Sequence, residues 1–358
     1  MTTTVTGRVD SAGGGGGGGG GAPAAGGSRR LTERVFRIRE SGIIAVFVVF
    51  VAVTTAIQPS FLNEQNIQFL LINTTVFALL ALGETMVVVS RNVDLSIGSV
   101  LGLTAFVCGG LFGDHPGIPV PLVFLIGLGI GLACGLGNGL MVAVGRVPSL
   151  VVTLATLYII RGIDILLVGG TQVNAQTLPN SFTDIPRANV AGVPYLAIAV
   201  AVVIGLGAYY LRSYRSGREL YAIGSSPDAA RLAGIPVGRR VLTAFAVSGA
   251  IAGVAGVLWA AQYQTVDSSA GTGYELTVIS AVVVGGVAIF GGSGSAVGAA
   301  VGALLLSAIN SALNVLGISS LWLEAISGFL LLVAITLDRV ISVRLQAALR
   351  RRSSGVGT

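Results

Sequence analysis

Lysine is absent from all 358 residues, histidine occurs once and cysteine twice. Without lysine there is no Schiff base and no phosphate-gripping lysine of a nucleotide loop, so the chain does not hold ATP in the P-loop manner. Cys108, Cys134 and His115 are too few for a Cys/His zinc site or a disulfide framework, so no metal site is expected, and both cysteines read as small buried hydrophobes. No nucleophile–base pair is visible, which argues against an enzyme. Charge is scarce as well: 10% of residues are charged beside 53% hydrophobic ones, against roughly 25% charged in a soluble chain. Such a chain cannot cover a water-facing surface, and it reads as an all-α integral membrane protein.

Residues 1–28 include nine consecutive glycines, Gly13 to Gly21, and have nothing to bury, so they are expected to form a disordered tail. A basic flank follows at 29–41. A bilayer core takes roughly 20 apolar residues per helix, and marking such stretches within 42–337 yields about ten spans: 42–58, 66–90, 96–112, 119–144, 149–168, 193–211, 241–262, 275–290, 296–316 and 320–337. With the N-terminus in the cytoplasm, the inside segments, including a basic tail at 338–358, carry 19 of the 21 arginines. Arginine bias of this kind predicts both termini in the cytoplasm.

The longest cytoplasmic loop, 212–240, contains a complete set of helix signals. Ser226 suits the N-cap, Pro227 the first helical position, Asp228 the positive end of the dipole and Gly234 the left-handed position after the end. A short helix over 227–233 is predicted, either a solvated connector or a docking helix. In the docking reading Ala229, Ala230 and Ala233 form a low surface that enters a groove on another protein, flanked by Arg231.

Two polar interruptions fall at membrane depth, where lipid cannot satisfy exposed backbone. In the first, Arg91, Asn92, Asp94, Ser96 and Ser99 either cap the third span, with Arg91 and Asp94 pairing locally, or line and gate a path. The second, Gly291 to Ser295, reads as a tight turn allowing close helix approach. The segments 79–105 and 279–305 share the order apolar helix, polar break, glycine-bearing helix, which suggests an internal repeat. Arg161 and Asp164 lie three apart on one helix face, as a structural ion pair clasping a neighbour or as a substrate contact. Glu84, Glu275 and Glu324 sit near span ends where water can reach them. Gly127, Gly131, Gly135 and Gly139 recur every four residues and predict a close helix–helix seam.

Asp228-Ala229-Ala230, three residues, then Gly234 resembles the "EAA, three residues, Gly" motif of bacterial ATP-binding-cassette importer permeases, with Asp for Glu. RNVDLSIGS resembles the "GGIDLSVGS" segment of the ribose, xylose and galactose permeases, and VVVGGVAIFGGSGSAVGAAVGALL resembles a third stretch of that family. Arg91-Asn92 in place of Gly-Gly is closer to the rhamnose and autoinducer-2 type permeases. The resemblance implies the importer permease fold, in the bacterial cell membrane. It implies a second permease subunit as homodimer or heterodimer, two ATP-binding subunits or one fused tandem ATPase, and an extracytoplasmic sugar-binding protein. ATP and Mg would be bound by the ATPase, with no cofactor on this chain and no nucleic-acid partner. A path for a neutral sugar needs hydroxyl and amide groups, and Asn73, Thr74, Thr153, Thr156, Asn310 and Asn314 are the further candidates. The alternatives are a branched-chain amino acid permease of the same mechanism and an ion-coupled secondary carrier using Asp94 or the Arg161–Asp164 pair. A carrier has no reason for a capped docking helix.

Overall fold

The computed structural model describes the backbone of residues 26–336 and the side chains of 42–336; residues 1–25 of the expected tail at 1–28, and all of the expected tail at 338–358, lie outside the described residues. Helix α1 (Gly26–Ile57) begins within the expected glycine-rich tail and runs through the basic flank, so no break separates flank from first span. Its portion up to Ile38 is a helical unit of its own, and the body described below begins at Arg39.

Among the described residues, seven helices are long and apolar enough to cross a membrane. They are α2 (Glu64–Val89), α3 (Ile97–Asp114), α4 (Val120–Ala143), α5 (Ser149–Val168), α7 (Tyr195–Ser213), α10 (Val237–Tyr263) and α12 (Ala296–Val315). Three shorter apolar helical stretches accompany them: Gly42–Ile57 of α1, α11 (Tyr274–Val284) and α13 (Trp322–Thr336). The short α6 (Asn180–Thr183) and the hairpin of β1 (Asn189–Val190) and β2 (Val193–Pro194) lie between α5 and α7, while α8 (Arg215–Ser225) and α9 (Pro227–Leu232) lie between α7 and α10.

Helix α2 is apolar on every side, the pattern of a helix enclosed by others; nearly all of it from Thr75 to Val89 is buried, and α10, α11, α12 and α7 surround it. By contrast α4, α5 and α7 present Leu125, Leu166 and Leu206, each more than 60% exposed, as expected where lipid is the solvent. At the middle of the α4–α10 contact the two backbones meet directly, while Val257 and Leu242 pack against Gly127 and Gly139 at its ends. A methyl group built on Gly131 would overlap the carbonyl of Gly249, one on Gly253 would overlap that of Gly127, and one on Gly135 that of Phe245. In lipid, helices gain little from hydrophobicity and associate through such close backbone approach. The four-residue glycine spacing therefore forms the seam that the sequence predicts.

The bundle has two distinguishable ends. At one, Val173 and Val266 pair as a β-bridge, joining the segment after α5 to the segment after α10. At the other, both polar interruptions meet the α4–α5 turn and the α8–α9 segment; this is the end the arginine bias assigns to the cytoplasm.

Candidate translocation and coupling site

Helix α2 stops at Val89, Arg91 turns the chain with a left-handed φ of 68°, and residues 93–96 run non-helically before α3. Both backbone groups of Val93 and the amide of Asp94 reach other helices. The Val93 amide donates to Ser149 Oγ (3.2 Å), and the Val93 carbonyl accepts from Thr153 Oγ1 (3.2 Å). The Asp94 amide donates to Glu84 Oε1 at 3.1 Å. Asp94 Oδ1 accepts from both the amide (3.0 Å) and hydroxyl (2.6 Å) of Ser96, and Ser96 Oγ in turn accepts from Asn138 Nδ2 at 2.8 Å. Glu84, Asp94, Ser96, Asn138 and Thr153 are all buried. Side chains from α2, α4 and α5 thus supply what water cannot, which is the condition for irregular backbone at membrane depth.

Two expectations are corrected here. Arg91 and Asp94 form no ion pair: Arg91 is exposed, while Asp94 folds back on Ser96 as an Asx turn. Glu84 is not at a wet span end but fully buried, because the broken chain needs its carboxylate as an acceptor. Glu84, Asn138 and Ser149 are site residues that the sequence reading missed as such; the detectable signal was a lone polar residue within an apolar span.

The second break is longer than expected. Helix α11 has 11 residues, about 16 Å at 1.5 Å per residue, and ends at Val284 instead of 290. The chain from Gly285 to Ser295 runs on to α12 without helix. Val287 within it is fully buried, and Ser295 caps α12 by accepting from the Gly298 amide at 3.3 Å. The Gly292 amide donates to the Val89 carbonyl at 2.9 Å, so the two breaks are bonded to each other. Helix α8 abuts this bond: a methyl group on Gly224 would overlap both the Val89 carbonyl and the Gly292 amide, and Tyr221 Oη donates to the Gly294 carbonyl at 3.1 Å.

Past α8, Ser226 Oγ accepts from the Ala229 amide at 3.3 Å, and Gly234 closes α9 at φ 76° with the Ile235 amide returning to the Ala230 carbonyl at 3.0 Å. Asp228 and Arg231 pair on its surface at 2.8 Å. The predicted helix is therefore present, but its faces differ from expectation. Ala230 packs inward at 3% exposure, and the outward apolar residue is Leu232, 90% exposed; Ala229 and Ala233 stay exposed beside it.

Buried Glu219 holds α8 to the first turn of α10, accepting from Arg240 and, at 2.9 Å, from Arg215. The hydrogen bond from Arg240, followed by that from Arg215 and both guanidinium charges, pulls its carboxyl below the ordinary value near 4.5. A carboxyl with a depressed folded value adds stability above its unfolded value and loses it as pH falls through the folded one. Glu219→Gln is accordingly expected to lower the melting temperature at pH 7, and the gap from the parent protein should close below about pH 4, read by thermal unfolding in detergent at a pH series.

The remaining candidates do not converge on this site. Asn73 is buried at the opposite end, accepting from Gln262 (2.6 Å) and Tyr263 (3.0 Å). Thr74 and Thr156 return their hydroxyls to the backbone of their own helices, as does Ser99 to Ser96. Asn310 is half-buried and Asn314 exposed on α12. Arg161 meets Asp164 at 3.6 Å and donates to the Ala270 carbonyl at 2.6 Å, clasping α5 to the segment after α10.

A helical body with seven membrane-length helices among the described residues, two non-helical breaks bonded to each other and an outward capped helix beside them is that of a multi-pass membrane protein. Residues 66–335 match the family described as branched-chain amino acid transport system / permease component. Over 311 residues the chain is 35% identical to the autoinducer 2 import system permease protein LsrC of Enterobacter sp. (strain 638), covering 87% of this chain and 88% of that protein. It is 33% identical over 312 residues to the ribose import permease protein RbsC of Escherichia coli (strain K12), covering 87% and 96%. No solved structure matches. The chain belongs to this family of ATP-binding-cassette importer permeases, a transport component and not an enzyme. Relatives of nearly full length import ribose or autoinducer 2, so the branched-chain amino acid alternative is not favoured, and they lend no support to rhamnose.

Proposed function

We propose that this chain is one half of the membrane channel of an ATP-driven importer for a neutral, polyhydroxylated solute of monosaccharide size. In this reading it sits in the bacterial cytoplasmic membrane with ten spans and both termini inside: the seven long helices, the apolar part of α1, α11 with its non-helical continuation, and α13. The observation that carries the proposal is the contact chain from α9 through Gly224 to the bonded Val89–Gly292 pair. Movement of an ATPase pair against α9 would shift α8, which at Gly224 meets the bonded Val89–Gly292 pair backbone to backbone. The 226–234 segment is the coupling element, and Arg91, Asn92, Asp94, Ser96 and Ser99 belong to the gate it acts on. A second permease copy or homologue, two ATPase subunits or a fused tandem holding ATP and Mg, and an extracytoplasmic binding protein complete the machine. The relatives' substrates make ribose-like sugars and autoinducer 2 the first candidates, with rhamnose a remaining option.

Leu232→Asp is expected to abolish co-purification of the ATPase while leaving the permease folded, since the side chain is 90% exposed. Ala230→Glu should instead destabilise α9 itself, because that position is buried. Retention of the ATPase by the Leu232 variant would remove α9 from the interface. Selectivity is proposed to reside in the binding protein, since hydrogen bonds of about 0.5–1.5 kcal/mol each from so few polar groups make a weak site, and a path must release what it binds. Calorimetric titration of the permease alone with pentoses and deoxyhexoses should show no affinity tighter than roughly millimolar; micromolar binding of one sugar would relocate selectivity to this chain.

A further inference from the structure

The end that carries both breaks also holds a cleft of about 720 Å³ between the first break, the α4–α5 turn, α9 and the start of α10. Arg91, Arg146 and Arg231 line it, and no carboxylate does. Arg231 has Asp228 as a partner, whereas Arg91 and Arg146 have no ion-pair partner among the described residues. Both of the latter take left-handed backbone, at φ 68° and 56°, which non-glycine residues seldom adopt. The first residues of α5 and α10, Ser149 and Val237, also face the cleft, and neither helix has a side-chain N-cap bond, so their amide ends add to the positive potential.

Next in the chain to the cleft-lining residues 142–149, the adjoining ends of α4 and α5 expose apolar side chains. Leu140, Val144, Leu150 and Val151 around it are each at least 50% exposed, Val144 the most at 72%. A free anion would use the arginines and leave that surface bare, and an acidic protein segment has no use for it. One occupant matches both parts: a molecule with an anionic head and hydrocarbon tails.

We propose that this cleft binds the phosphate headgroup of an anionic phospholipid of the cytoplasmic leaflet, with its acyl chains lying along the exposed ends of α4 and α5. The proposal rests on the arginine-bearing end facing the cytoplasm and is independent of the substrate; Arg231 belongs to the proposed coupling element and Arg91 to the proposed gate, so of the three arginines Arg146 alone lies outside both and carries the first arm of the test. Near an anionic surface each arginine changes binding by about fivefold.

The test uses the purified full chain in detergent, with bound lipid counted by native mass spectrometry during titration with phosphatidylglycerol or phosphatidylcholine of identical chains. The parent protein should prefer phosphatidylglycerol at least tenfold. Arg146→Asn keeps a residue tolerant of the left-handed turn and should cut the preference about fivefold; adding Arg91→Asn and Arg231→Gln should abolish it. Equal binding of both lipids by the parent, or an undiminished preference in Arg146→Asn, overturns the proposal. Competition by millimolar inorganic phosphate would show a free-anion site and overturn it too. So would an absent lipid preference together with loss of ATPase association in Arg146→Asn, which would give the cleft to an acidic partner segment.

Discussion

Gly224→Val is expected to abolish uptake while the permease remains inserted and still co-purifies with its ATPase. The α-carbon of Gly224 faces the Val89 carbonyl and the Gly292 amide, which are bonded at 2.9 Å. Neither is a side chain that can rotate away, so an added group must push α8 outward or open the bond between the breaks. Overpacking of this kind costs typically about 1–3 kcal/mol, and a buried donor left without its acceptor costs about as much again. The capping bonds of α9 lie beyond the altered residue, so docking should persist. Gly224→Ala should fall between parent and valine. Uptake in proteoliposomes containing the full importer, beside an ATPase pull-down, separates this variant from Leu232→Asp, which should lose both. Parental uptake by the valine variant would break the link proposed between α8 and the gate.

Gly131→Leu is expected to prevent accumulation of folded protein. Its side chain would have to occupy the position of the Gly249 carbonyl and of Gly253 on α10, and those atoms belong to a rigid helix. Gly129, two residues away on the same helix, is exposed with nothing near its α-carbon, so Gly129→Leu should behave as the parent. Fluorescence-detected size-exclusion profiles of the pair decide the matter: equal monodisperse peaks would mean that the seam does not hold the bundle together.

Much of the helical layout was legible because hydropathy and capping chemistry are local. The span 149–168 is reproduced by α5, and the signals from Ser226 to Gly234 produce a helix with the expected bonds at both ends. What escaped the sequence depends on partners distant in the chain. Val287 and Ala288 read as more of α11 since they are apolar, yet hydropathy reports where a residue partitions and not whether its backbone is helical. Glu84 looked like a residue near water because a carboxylate is costly to bury; its compensating role, accepting from the Asp94 amide, requires knowing that the chain breaks ten residues later. Ala230, expected on the outward surface, packs inward, and Leu232, given no part by the sequence, is the outward apolar residue, because a six-residue helix shows no period long enough to reveal its inner face. The meeting of the two breaks at Gly292 and Val89 has no signature beyond the two polar interruptions themselves.

The α4–α10 seam also sets a schedule for biosynthesis. Helix α4 is complete at Ala143, but its partner surface is not made until Tyr263, about 120 residues and, at roughly 5–20 residues per second, on the order of 6–24 s later. During that interval a row of bare glycine backbone faces lipid, stable as a single helix but with nothing to bind. Membrane quality control that recognises unassembled helices therefore has its longest opportunity on this protein between the emergence of α4 and of α10, and a ribosome stall in the 212–240 loop should be more damaging to yield than one after Tyr263.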